Sequence, residues 1–80
     1  MFIPPEIEEY AIHLVNAFDG IKGRELVLQL GARFLNADNK RLRLVPAALA
    51  LDGKILEIEY VIPGRPSQSL FVPVGTEIRK

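Results

Sequence analysis

From Arg24 to Arg79 the chain runs as a succession of short apolar-alternating segments separated by Gly, Pro, Asn and Asp, and it follows one amphipathic helical segment. This succession constrains the fold most. Period-two alternation describes strands with one buried face, and turn residues between them describe short antiparallel connections.

The helical segment opens at a double proline. Pro5 suits a first helical position, where its missing N–H has no intrahelical partner, and Glu6, Glu8 and Glu9 complement the positive helix end. At about 100° per residue, Ile7, Tyr10, Ala11, Leu14 and Phe18 form one stripe with Val15 at its margin, opposite Glu6, Glu9, His13 and Asn16. Asp19 and Gly20 end the helix, with Gly20 expected in the left-handed conformation. Ile12 points away from the stripe and reads as a contact residue.

Beyond the helix, residues 25–30 predict a strand with Leu26, Leu28 and Leu30 inward, and residues 32–36 resume extended structure after Gly31. Residues 37–40 form a turn, 41–45 a strictly alternating strand, and 46–51, behind Pro46, an edge strand, a bend or a short helical turn, with strand preferred. Asp52-Gly53 predicts a type I′ hairpin turn into the strand 54–62, whose inward face is Leu56, Ile58, Tyr60 and Ile62. A Pro- and Gly-containing connection over 63–69 leads to the strand 70–74, where Pro73 marks an edge or a strand end, and residues 76–80 either pair briefly or fray. The expected class is α+β. One domain spans 1–80, with the helix packed on a curved antiparallel β-sheet of four to six short strands, or capping a small β-barrel.

A chain of 80 residues buries only about 60–65% of its unfolded surface. It has no cysteine, so an apolar core carries its stability. Apolar residues make up 49% of the chain, which is high for so small a domain and points to a surface buried by association, a homodimer being the simplest form. The formal charges cancel, so no overall field attracts nucleic acid or an anionic membrane. Locally the balance differs: residues 1–19 carry four acidic groups and no Lys or Arg, whereas 22–43 carry Lys22, Arg24, Arg33, Lys40, Arg41 and Arg43 against Glu25 and Asp38. No apolar run approaches the roughly 20 residues of a membrane span, and no signal peptide is evident, so a soluble cytoplasmic protein is expected.

The chemistry available is sparse. His13 is the only histidine and has no nucleophile nearby in sequence; Glu9, one turn earlier, is its natural surface partner. Glu57 and Glu59 share a strand face, but a cross-strand ladder with Arg41 and Arg43 accounts for all four charges without catalysis. No catalytic, cofactor-binding or metal-binding residue is assigned, and no enzyme activity, cofactor or small-molecule substrate is expected. Pro63-Gly64-Arg65-Pro66 has the P-x-x-P spacing of polyproline ligands, which makes Arg65 and Pro66 recognition candidates.

The run Lys22-Gly-Arg-Glu-Leu-Val-Leu-Gln-Leu-Gly31, placed after an N-terminal helix, resembles the opening of Sm-like small-barrel RNA binders over an eighth of the chain. The acidic residue and asparagine that follow in those proteins have no counterpart, so the resemblance implies an architecture rather than membership. The sequence thus predicts a small non-catalytic protein-interaction module, homo-oligomeric and with another protein as a further candidate partner, through Ile12, Arg65 and Pro66. The alternative is a nucleic-acid-binding small β-barrel that uses Arg33, Lys40, Arg41 and Arg43, supported by Lys22 and Arg24.

Overall fold

The computed structural model describes residues 2–75. In chain order its elements are α1 (Pro5–Phe18), β1 (Ile21–Lys22), α2 (Gly23–Arg33), α3 (Asn39–Leu42), α4 (Val45–Leu51), β2 (Ile55–Tyr60) and β3 (Gln68–Pro73). The strands form one open antiparallel sheet in the order β1-β3-β2. The α+β class stands, but the described residues give three strands instead of four to six and no closed barrel. The pairing expected of 76–80 falls outside the described residues.

α1 forms where the sequence places it, with Ile7, Ala11, Leu14 and Val15 buried. Phe18, expected in the apolar stripe, is exposed, because the helix ends there and the chain turns away. The turn is a Schellman arrangement: the Asp19 N–H donates to the Asn16 carbonyl at 3.3 Å and the Gly20 N–H to the Val15 carbonyl at 3.4 Å. Asp19, at φ 49° and ψ 40°, takes the left-handed conformation expected of Gly20, which itself lies at φ 120°.

The largest correction concerns residues 23–51, which form three helices joined by turns. Leu26, Leu28 and Leu30 alternate as a strand would, yet Leu26 and Leu30 also stand four apart on one helix face, and both are fully buried in α2. Leu28, expected inward, projects to solvent at 60% exposure. The resemblance to a small-barrel opening therefore fails, since the residues that carry it lie in α2. Residues 41–45, expected as a strand, belong to α3, a two-residue turn and the start of α4. Asp38 caps α3, its Oδ1 accepting from the Lys40 N–H at 2.9 Å. Pro46 sits in the first turn of α4, where a missing N–H costs no hydrogen bond, and the Ala- and Leu-rich remainder has strong helix propensity.

Asp52-Gly53 is not a hairpin turn. It closes α4 as a second Schellman arrangement: the Gly53 N–H donates to the Ala50 carbonyl at 3.1 Å and the Lys54 N–H to the Leu49 carbonyl at 3.0 Å, with Gly53 at φ 75°. The hairpin is β2–β3, with Ile55 opposite Pro73 through Tyr60 opposite Gln68. β1 adds only Ile21 opposite Phe71 and Lys22 opposite Leu70. Pro73 is thus at a strand end, although of the central strand, beyond the reach of β1.

The core lies between the helices and one end of the sheet. Leu26, Leu30, Leu42 and Leu49 from the helices meet Ile21, Ile55 and Phe71 from the strands, around Ala11 and Val15 of α1. In β2 the residue that reaches the core is Ile55, on the face it shares with Glu57 and Glu59. The face expected inward, with Leu56, Ile58 and Tyr60, is only half-buried, and Ile62 lies past the strand end and is exposed. The reason is position along the strand: only its first residues lie beneath the helices, and the rest carries the hairpin outward.

Candidate functional site

α2, the turn 34–38 and the α3–α4 segment form a helix–turn–helix unit, followed directly by the β2–β3 hairpin. Arg43 and Leu44 both keep right-handed helical backbone, so α3 and α4 act as one slightly broken helix. Its inner side places Leu42, Val45 and Leu49 in the core. Leu44, Ala47 and Leu51 follow at i, i+3 and i+7 on its outer side; Leu44 is 57% and Leu51 88% exposed. A helix of this kind ordinarily carries polar residues outward. Here it carries leucines.

Beside this helix face runs an open groove of 550 Å³, lined among others by Arg24, Leu28, Arg43, Pro46, Ala47 and Phe71. α2 supplies Arg24 and Leu28, the α3–α4 segment supplies Arg43, Pro46 and Ala47, and β3 supplies the Phe71 floor. Gly23 permits this closeness: a Cβ there would lie 2.9 Å from the Phe71 ring. Ala47 also borders a second, shallower depression with Leu51 and Leu56. The apolar surface therefore continues from Leu28 across Ala47 to Leu51. Lys22 joins Arg24 in a depression that adjoins the groove at Gln68 and Ser69.

The residues singled out from sequence are dispersed. Ile12 is half-buried and packs against the core, so its side chain supports α1 instead of standing free. Arg65 and Pro66 are exposed in the hairpin connection 61–67. The Arg65 N–H donates to the Ile62 carbonyl at 3.0 Å across Pro63 and Gly64, and Gly64 has φ 81°, as the third position of a type II turn requires. That conformation interrupts a polyproline helix, so Pro63 and Pro66 do not form one continuous P-x-x-P ligand.

The basic residues do not form one stripe. Arg43 faces the groove with Arg24; Arg41 faces a hollow formed with Phe2, Ile3 and Ile7; Arg33 lies beside Glu6, Glu9 and His13. The Arg33 guanidinium stands 5.8 Å from the Tyr10 ring centre and 5.9 Å from that of Phe34, within cation–π range. Lys40 is exposed on α3. The ladder expected between Arg41, Arg43 and Glu57, Glu59 is absent among the described residues, since both arginines lie on the helical segment. Glu57 instead accepts from the Ser69 hydroxyl at 2.9 Å across the hairpin. One ion pair is present among the described residues, between Lys54 and Glu8.

Among the described residues no three of His, Asp and Glu gather as a metal site would require, and no helix is long and apolar enough to cross a membrane. The apolar outer face of α4 was within reach of sequence reading. Leu44, Ala47, Leu51 and the inner set Leu42, Val45, Leu49 interleave once 39–51 is read with a helical period. Comparison with protein-family models, with curated proteins and with solved structures found no match, so the reading of this site rests on its own geometry.

Proposed function

We propose that the chain is a protein-interaction module whose contact surface is the outer face of its helix–turn–helix unit. One observation carries this reading: Leu28 and Leu51 are exposed on the two sides of Ala47, and Leu44 is exposed one turn before Ala47 on the same helical segment. Contiguous exposed apolar surface on a small domain marks a contact with another molecule. Leucine also makes a poor contact to phosphate or to base edges, whereas it fills apolar pockets of a partner well.

A second reading is supported by the topology itself. A helix–turn–helix presents the start of its second helix to the DNA major groove, and Asn39, Lys40 and Arg43 stand at that start. Less favours it: Arg33 and Arg41 face elsewhere, and Arg65 is the only cation of the hairpin connection 61–67.

The two readings separate in a retention experiment on the full chain and its Leu28→Asp/Leu51→Asp variant, whose substituted positions are exposed and whose folding circular dichroism checks. Protein retained by the native chain and lost by the variant, with no nucleic acid in the retained material, supports the protein-binding reading. Retained nucleic acid that is shed as salt rises from about 0.1 to about 0.5 M supports the second reading and overturns the first.

A further inference from the structure

We infer that the groove between α2, α4 and β3 takes an acidic amphipathic peptide segment of a partner protein, an inference that rests on the protein-binding reading and names the chemistry of the partner. The argument is charge complementarity around an apolar floor. Arg24 and Arg43 line the groove together with Leu28, Pro46, Ala47 and Phe71, and Lys22 extends the positive margin into the adjoining depression. No acidic residue lines either one among the described residues. On the neighbouring strand Glu57 and Glu59 stand opposite Phe71 and Ser69, and Glu57 accepts from the Ser69 hydroxyl at 2.9 Å, but neither lines the groove.

Neither Arg24, Arg43 nor Lys22 takes part in an ion pair among the described residues, so their guanidinium and ammonium groups are available to carboxylates from outside. Arginine binds a carboxylate through two parallel N–H bonds, which fixes the orientation of the incoming segment as well as attracting it. The floor supplies the other half of the recognition. Phe71 is 4% exposed beneath the glycine at 23, and Pro46 is buried, so both are held rigidly while Leu28 and Ala47 present free surface. A segment that matches this surface has one or two apolar side chains directed inward and Asp or Glu on either flank. A duplex presents charge without the apolar insert, and a neutral apolar helix presents the insert without the charge.

The test uses the full chain and a phage-displayed library of random peptides of about twelve residues. Selected peptides are synthesised, and their affinities are measured for the native chain, for Arg24→Glu/Arg43→Glu and for Lys40→Glu, whose position lies outside the groove. All three substituted side chains are exposed, and circular dichroism checks that the variants fold. The expected result is a consensus of Asp or Glu flanking Leu, Ile, Phe or Trp. Affinity should fall about ten-fold or more in the double variant and stay within about two-fold in Lys40→Glu.

Apolar peptides without acidic bias, bound equally by the double variant but lost in Leu28→Asp/Leu51→Asp, overturn the acidic partner and leave the protein-binding reading standing. Failure to enrich any peptide overturns the inference as well. Concentration-dependent amide shifts at Leu28 and Ala47 in the chain alone assign the groove to a second copy and also overturn it. Steep salt-dependent binding of a DNA duplex to the same residues, with no peptide selected, overturns both the inference and the reading beneath it.

Discussion

A Cβ on Gly23 would lie 2.9 Å from the Phe71 ring, whereas one on Gly31 would meet only Asn39 Oδ1 at 3.7 Å. Both glycines belong to α2, where alanine gains about 1 kcal/mol of helix propensity over glycine. Sterics therefore decide the sign. Phe71 is buried and packed, so the ring moves only at the expense of its neighbours, and Gly23→Ala should destabilise by about 1–3 kcal/mol. Gly31→Ala should stabilise by about 0.5–1 kcal/mol. Thermal unfolding of the two variants checks the pair: for a domain of this size each kcal/mol moves the midpoint by about 4–8 °C, and the shifts should have opposite signs. Equal shifts in one direction would mean that Phe71 does not approach α2 as described.

At the scale of elements, α1 and the β2–β3 hairpin were legible in the sequence, and the stretch between them was misread. The hairpin strands carry the residues a pleated surface favours: Ile55, Ile58, Tyr60, Phe71 and Val72. α2 has only Val27 as a β-branched residue, and apart from its two glycines the rest are Leu, Glu, Gln, Ala and Arg, all good helix formers. Over six residues a period of two contains the i, i+4 pair of a helix, so Leu26 and Leu30 satisfied both patterns and propensity was the better guide. Because these helices were missed, so were the groove and the outer leucines, which exist only when α2, α3 and α4 are helical. The assignment has a direct consequence. Leu26→Ala should cost about 2–5 kcal/mol and Leu28→Ala less than about 1 kcal/mol in urea unfolding; similar costs for both would return 25–30 to a strand with one buried face.

Among the described residues the sheet order leaves β2 as an edge, and that edge carries Glu57 and Glu59, both exposed. A second copy paired antiparallel on it, in the registers centred on these residues, sets glutamate against glutamate, a device that opposes edge-to-edge association. Association through this edge is therefore disfavoured. Glu57→Val/Glu59→Val should raise the mass seen by light scattering as concentration rises, and a variant that scatters like the native chain at every concentration would remove this role from the two glutamates. The same order has a bearing on how the chain is made. β3 lies between β1 and β2 yet follows both in sequence, so neither earlier strand has a neighbour until Gln68–Pro73 has been synthesised. At roughly 5–20 residues per second, about a second separates Tyr60 from Pro73 on the ribosome. During that interval a nascent helical unit presents two strands with unmatched amides, and a chaperone, or the β3 of a neighbouring nascent chain, has its opportunity to pair with them first.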